Sequence, residues 1–270
     1  MTNRARTYRR CSSRHTTTAT AAPTAAVSIH SRKSSSTETG GSEVKLTKYS
    51  EAIARKALEM GAIRLSPEAP FRWASGYYMP IYNDNRTLLG DPEARQMIAL
   101  AFREILESLD YDPDNIAGTS TAGIPHATTL ADLLKKPVSY IRSSSKDHGL
   151  QNQIEGLGRA KTYQKSKVVL IEDLISTGMS SINAVKAIQQ ADGLVPYCLA
   201  IFSYGTDQGK EAFASLDPAC TPVTILDYDY VIAIAKQTGY IKPEQEQMLL
   251  QWSASPFTWG EKHGWPKETN

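Results

Sequence analysis

Cysteine is scarce in this chain: there are three, Cys11, Cys198 and Cys220, in 270 residues, and no two form a CxxC pair. So few and so scattered, they exclude a disulfide framework and a cysteine-based zinc site, and those in the body read as reduced, structural thiols. No apolar run approaches the roughly 18 residues needed to span a bilayer, so the chain is read as soluble and without a membrane partner. Acids are missing from residues 1–37, which carry six arginines and one lysine. The same stretch lacks an apolar segment long enough for a secretory signal, and no internal repeat occurs anywhere.

What is present suits one soluble domain with something attached: 41% of residues are hydrophobic and 21% charged. The formal charge is +2, and the seven cations of residues 1–37 leave −5 on the remainder. The sequence pI of about 8.3 therefore belongs to the leader, and nucleic-acid binding by the body is not indicated. Rich in Arg, Ser, Thr and Ala, residues 1–42 have the composition of an organelle transit peptide or of a disordered tail. The expected division is a leader at 1–42 and a catalytic domain at 43–270, the latter cytoplasmic unless the leader directs import.

From Tyr49 the pattern becomes regular. Tyr49, Ile53, Ala57 and Met60 recur at helical spacing and Gly61 follows as a stop. "FRWASGYYMPIYNDNR", residues 71–86, is aromatic and broken by Gly76 and Pro80, which points to short strands or a structured loop. Residues 92–109 form a helix with Pro92 in its first turn and Ile98, Ala101, Ile105 and Leu109 on one face. Beyond it, short apolar strands ("NIAG", "PVSYIR", "VVLI", "VPYCLAIFSY") alternate with helical segments ("IPHATTLADLL", "SINAVKAIQQA"). This alternation predicts an α/β fold with a central parallel sheet flanked by helices. Residues 143–166 break it with about two dozen mostly polar residues, and a loop of that length is usually functional.

The segment "VVLIEDLISTGMSS", residues 168–181, carries the chemistry. In an open parallel sheet, ligands bind beyond the carboxyl ends of strands, and here Glu172 and Asp173 stand at such an end. Ser176, Thr177, Gly178, Met179 and Ser180 follow, offering backbone N–H groups, hydroxyls and a helix N-terminus, a combination that binds phosphate. No lysine follows Gly178, which excludes a GxxxxGK[ST] nucleotide loop. Two carboxylates would repel a phosphate, so they address another part of the ligand, and vicinal hydroxyls donate well to adjacent carboxylates. A ribose 5-phosphate satisfies both halves. Taken alone, the segment also admits a solvated acid pair followed by a helix cap.

This segment resembles the phosphoribosyl-pyrophosphate fingerprint of type I phosphoribosyltransferases. "FRWASGYYMPIYNDNR", "GTSTAGIPHATTLADLL" and "YIRSSSKDHGLQNQIEG" narrow the resemblance to the orotate phosphoribosyltransferase family, over about residues 47–253. It implies the type I fold with a small N-terminal hood. It also implies magnesium-dependent transfer of ribose 5-phosphate from phosphoribosyl pyrophosphate to orotate in pyrimidine synthesis, and a homodimer whose site is completed by the neighbour's mobile loop. Arg142, Lys146 and His148 match positions that bind pyrophosphate, with Lys146 and Asp173 as the catalytic pair. Glu172 and Asp173 match those that meet the ribose hydroxyls and the magnesium-bound substrate. Leu174, Ile175 and residues 176–180 complete the phosphoribosyl-pyrophosphate site, and Ser176 also touches orotate, as do Tyr82 and Asn83. Two departures stand out. Ser143 replaces a frequent second lysine, and "IFSYGTDQG" lacks the arginine that many members use to grip the orotate carboxylate. Arg86 is the candidate for that grip, with an ion pair to Asp84 as its alternative. His126 and Cys198 read as packing residues. A phosphoribosyltransferase for another base would share "EDLISTG" but not "KDHG" and "NQIEG" in this order. A non-catalytic sensor of phosphoribosyl pyrophosphate would want a DNA-binding helix-turn-helix, which the leader does not offer.

Overall fold

The computed structural model describes residues 43–143 and 153–268, all within Glu38–Asn270, one of the two units into which the chain divides. Strand β1 (Glu43–Val44) leads to helix α1 (Ser50–Glu59), then to strands β2 (Ile63–Leu65), β3 (Phe71–Arg72), β4 (Tyr78–Met79) and β5 (Ile81–Asn83). A 3-10 turn at Asn85–Gly90 precedes α2 (Pro92–Ser108). The alternating part follows: β6 (Asn115–Thr119), α3 (Gly123–Leu134), β7 (Val138–Ile141), β8 (Ile154–Glu155), β9 (Lys167–Ile175), α4 (Met179–Gln190) and β10 (Leu194–Ser203). The chain then adds α5 (Asp207–Ala214), β11 (Thr221–Asp227), α6 (Tyr228–Gln237), α7 (Pro243–Ala254) and α8 (Pro256–Lys262).

Seven strands form one sheet in the order β1-β11-β10-β9-β6-β7-β8. Every neighbouring pair is parallel except β7 with β8, which is antiparallel. Successive residues of a strand point to opposite faces, and β9 shows the result: Val169 and Ile171 join one apolar cluster, Val168 and Leu170 another. A sheet covered on both faces needs such continuous apolar strands. The expected strand "VVLI" lies in the first half of β9, which pairing with β10 extends through both acids to Ile175. Glu172 and Asp173 are thus strand residues.

Sequence signals account for the helices beside the site. Asp91 caps α2 by accepting from the Ala94 N–H at 2.9 Å, and Pro92 follows it. Ile53, Ala57, Ile98, Ala101 and Ile105 are buried as their spacing predicts. The hood comprises two small antiparallel pairs, β2 with β5 and β3 with β4. Among the described residues no helix is long and apolar enough to cross a membrane.

Candidate active site

Between β9 and α4 the chain turns at Gly178, whose φ of +78° is a conformation that side chains resist. The N–H groups of the first turn of α4 have no intrahelical acceptors, so an anion can take their place. One carbonyl of β9 and one of this turn are held by side chains from elsewhere in the chain. Asn85 Nδ2 donates to the Asp173 carbonyl at 2.7 Å, and Thr206 Oγ1 donates to the Ser176 carbonyl at 2.9 Å. Both Asn85 and Thr206 are positioning residues that the sequence did not single out. Ile175 is buried, and its carbonyl accepts from the Tyr204 N–H, so its side chain belongs to the core.

The two acids have different surroundings. Glu172 is buried, and its carboxylate accepts from the Asp173 N–H at 3.1 Å and from the hydroxyls of Ser180 and Ser181 at 3.2 Å each. It anchors the start of α4. Burial, and then the neighbouring Asp173 charge, push its pKa up to about 7. Asp173 is less enclosed, and burial also raises its pKa.

An open cleft of about 870 Å³ lies beside this turn. It brings together Tyr82, Asn83, Leu174, Ser176 and Thr177 from the sequence-derived set. Asn83 is buried there, and neither polar atom of its side chain has a partner among the described residues. Trp73, Tyr204, Trp252 and Phe257 supply aromatic walls that the sequence did not assign. Met179 opens α4 with its side chain largely exposed.

Arg86 is gripped by Asp84 through two hydrogen bonds, Nε to Oδ1 at 2.6 Å and a terminal nitrogen to Oδ2 at 2.9 Å. The Asp84 carboxyl falls below its ordinary pKa in consequence. Arg142 stands just past β7, its guanidinium 3.8 Å from Glu155 and its N–H bonded to the Gln153 carbonyl. Lys146 and His148 lie outside the described residues. His126 is buried on α3 with neither ring nitrogen partnered among the described residues, and burial lowers its pKa to about 4. It is a neutral packing histidine.

Residues 86–204 match the phosphoribosyl transferase domain family. The orotate phosphoribosyltransferase of Listeria innocua is 44% identical over 208 residues, covering 77% of this chain and 97% of that one. The chain belongs to the orotate phosphoribosyltransferase family. Solved members of this family share the fold. The Aeropyrum pernix orotate phosphoribosyltransferase superposes with a TM-score of 0.58 at 24% identity, covering 70% of this chain and 99% of that one. The Mycobacterium tuberculosis enzyme in complex with phosphoribosyl pyrophosphate gives 0.52 at 20% identity, covering 68% and 98%.

The buried Glu172 makes a pH prediction for this family member. Its raised pKa means the folded protein favours the neutral acid, so stability is full at low pH and falls as pH rises from the usual carboxylate range through about 7. Glu172→Gln imitates the neutral form at every pH. Its melting temperature minus that of the parent should therefore grow more positive between pH 5 and pH 8, and a difference that stays flat would show that Glu172 is not a strained charge.

Proposed function

We propose that this chain transfers ribose 5-phosphate from phosphoribosyl pyrophosphate to N1 of orotate, releasing orotidine 5′-phosphate and pyrophosphate. The observation that carries the reading is a cleft in which Ser176 and Thr177, from the turn before α4, meet aromatic walls and the buried Asn83 amide, which has no partner among the described residues. Residues 176–180 cradle the 5-phosphate at the N-terminus of α4. Asp173 accepts from the ribose hydroxyls, while Glu172 holds the turn that carries them both. Tyr82 and Asn83 meet the pyrimidine edge, where a ligand supplies the partner that the Asn83 amide lacks among the described residues.

The reaction builds positive charge on the ribose and negative charge on the departing pyrophosphate. Arg142, Lys146 and His148 take the leaving charge and close the site against water. Among the described residues no group of three or more His, Cys, Asp or Glu could hold a metal. Asp173, a partly exposed carboxylate in the C-terminal half of β9, is the residue that would hold magnesium, an ion that proteins often bind through one or two carboxylates and substrate phosphates. The chemistry supplied by bound magnesium is charge neutralisation on the pyrophosphate. The reading includes a homodimer in which the segment holding Lys146 completes the neighbour's site.

The test is consumption of orotate with phosphoribosyl pyrophosphate and magnesium, set against adenine, hypoxanthine and uracil. Preference for a purine would assign the chain to another base, and no turnover with any base would favour a sensor. The leader, as an import signal or a tail, has no part in this chemistry. A form beginning at Ser42 should keep the parent's melting temperature and turnover within twofold, and loss of either would make residues 1–41 part of the domain. A fluorescent fusion of residues 1–42 that stays in the cytosol would remove the import reading.

A further inference from the structure

The hairpin of β3 and β4 has two residues in each strand and, among the described residues, no third strand beside it. Isolated two-stranded hairpins are marginal in water, yet this one carries a wall of the cleft, including Arg72 and Trp73. Its support comes from nearly two hundred residues away. Tyr78 donates its hydroxyl to Glu268 Oε1 at 2.6 Å, Arg72 Nε lies 2.9 Å from Glu268 Oε2, and the Glu268 N–H donates to the Gly76 carbonyl at 3.0 Å. One residue thus meets both strands and the turn between them. The fit is close: Gly76 has φ +81°, and a β-carbon there would strike the Glu268 carbonyl. Lys267 Nζ sits 4.4 Å from the centre of the Tyr77 ring, and Phe257 packs on the same ring at 5.3 Å.

Among the described residues lining the cleft, Arg72 is the one cation. Arg86, by contrast, gives two donors to Asp84 and is not among the lining residues. A guanidinium has five N–H donors in a rigid fork and can serve two carboxylates at once. We propose that residues 256–268 are a strap that positions the base-binding hairpin, and that Arg72, oriented by Glu268, receives the carboxylate of the pyrimidine substrate. This rests on the orotate reading above. Arg72 is the specificity-determining residue and Glu268 the positioning residue. In a cleft walled by aromatic rings, one oriented cation discriminates an anionic pyrimidine from a neutral one.

The experiment measures both Michaelis constants, turnover and melting temperature in the full chain for Arg72→Ala, Arg72→Lys, Glu268→Gln and Arg86→Ala. Losing a charge-assisted contact should raise the orotate constant about ten- to a hundredfold in Arg72→Ala, with the constant for phosphoribosyl pyrophosphate within twofold. Arg72→Lys should recover part of the loss. Glu268→Gln keeps an acceptor for Tyr78 but loses the charge that orients Arg72, and should raise the orotate constant by roughly three- to tenfold with turnover at saturation retained. Arg86→Ala should lower the melting temperature and raise the orotate constant less than Arg72→Ala does, and the reverse order would overturn the assignment to Arg72. An orotate constant within twofold of the parent in Arg72→Ala overturns the carboxylate assignment, and an unaltered constant in Glu268→Gln overturns the strap. Both constants rising together with a lower melting temperature would make the hairpin merely structural and also overturn it. A parent inert toward orotate would overturn the functional reading and this one with it, whereas an active parent confines any failure to Arg72 and Glu268.

Discussion

Lys146→Ala is expected to lower turnover at least about 100-fold, or roughly 3 kcal/mol of barrier, with no change in melting temperature. The leaving pyrophosphate gathers charge as the bond to ribose breaks, and only groups that meet that charge as it develops accelerate the step. Lys146 belongs to the segment between Arg142 and Gln153, whose backbones are bonded to each other at 2.9 Å. These two described flanking residues stand by the end of β7, on the side of the sheet where β9 ends. Single-turnover kinetics at saturating substrates isolates the chemical step. A variant within threefold of the parent would remove Lys146 from the mechanism.

Gly123→Ala should damage the central sheet. A β-carbon at this position would lie 2.5 Å from Thr119 Oγ1 and closer still to the Ile171 carbonyl oxygen. The second obstacle is backbone of the central strand, which cannot swing aside as a side-chain tip can. Overpacking of this kind costs about 1–3 kcal/mol. In a chain of this size each kcal/mol lowers the melting temperature by about 2–4 °C, so a fall of about 5–10 °C is expected. Activity should fall as well, because Ile171 immediately precedes Glu172 and any displacement of β9 moves the acids. Gly90→Ala is the control, since a β-carbon there meets nothing within 4 Å. A Gly123→Ala protein that melts with the Gly90→Ala protein would show that α3 and β9 are less tightly joined than their separation implies.

The sequence makes part of this legible and hides the rest for identifiable reasons. The turn from β9 into α4 could be read because an apolar run, two acids and a set of small residues are contiguous. Strand alternation separates Glu172 from Asp173, but the serines that face Glu172 are eight and nine residues further on, across a turn. Which acid is buried therefore depends on that turn. Strand β11 went unread because Pro222 interrupts its apolar pattern, and proline removes a ladder donor. The structure tolerates it because β1 pairs only with Val223 and Thr224, leaving Pro222 beyond its reach. The bond between Tyr78 and Glu268 spans 190 positions. Neither partner carries a local pattern that announces the other, and the C-terminal "PFTWGEKHGWPKETN" has no period to read.

Strand β1 has a consequence for any shortening of the chain at its N-terminus. Sheet edges are templates on which another chain can add a strand, and proteins cover them. Here two residues, Glu43 and Val44, with the Lys45 N–H donating to the Thr224 carbonyl, cover the outer side of β11. A cut before Glu43 leaves that cover in place. A cut two or three residues later would bare the β-branched run of Val223, Thr224 and Ile225, and the shortened protein would be prone to associate edge to edge. The shortest N-terminal truncation that the sheet tolerates is thus set by solubility, within a window only a few residues wide.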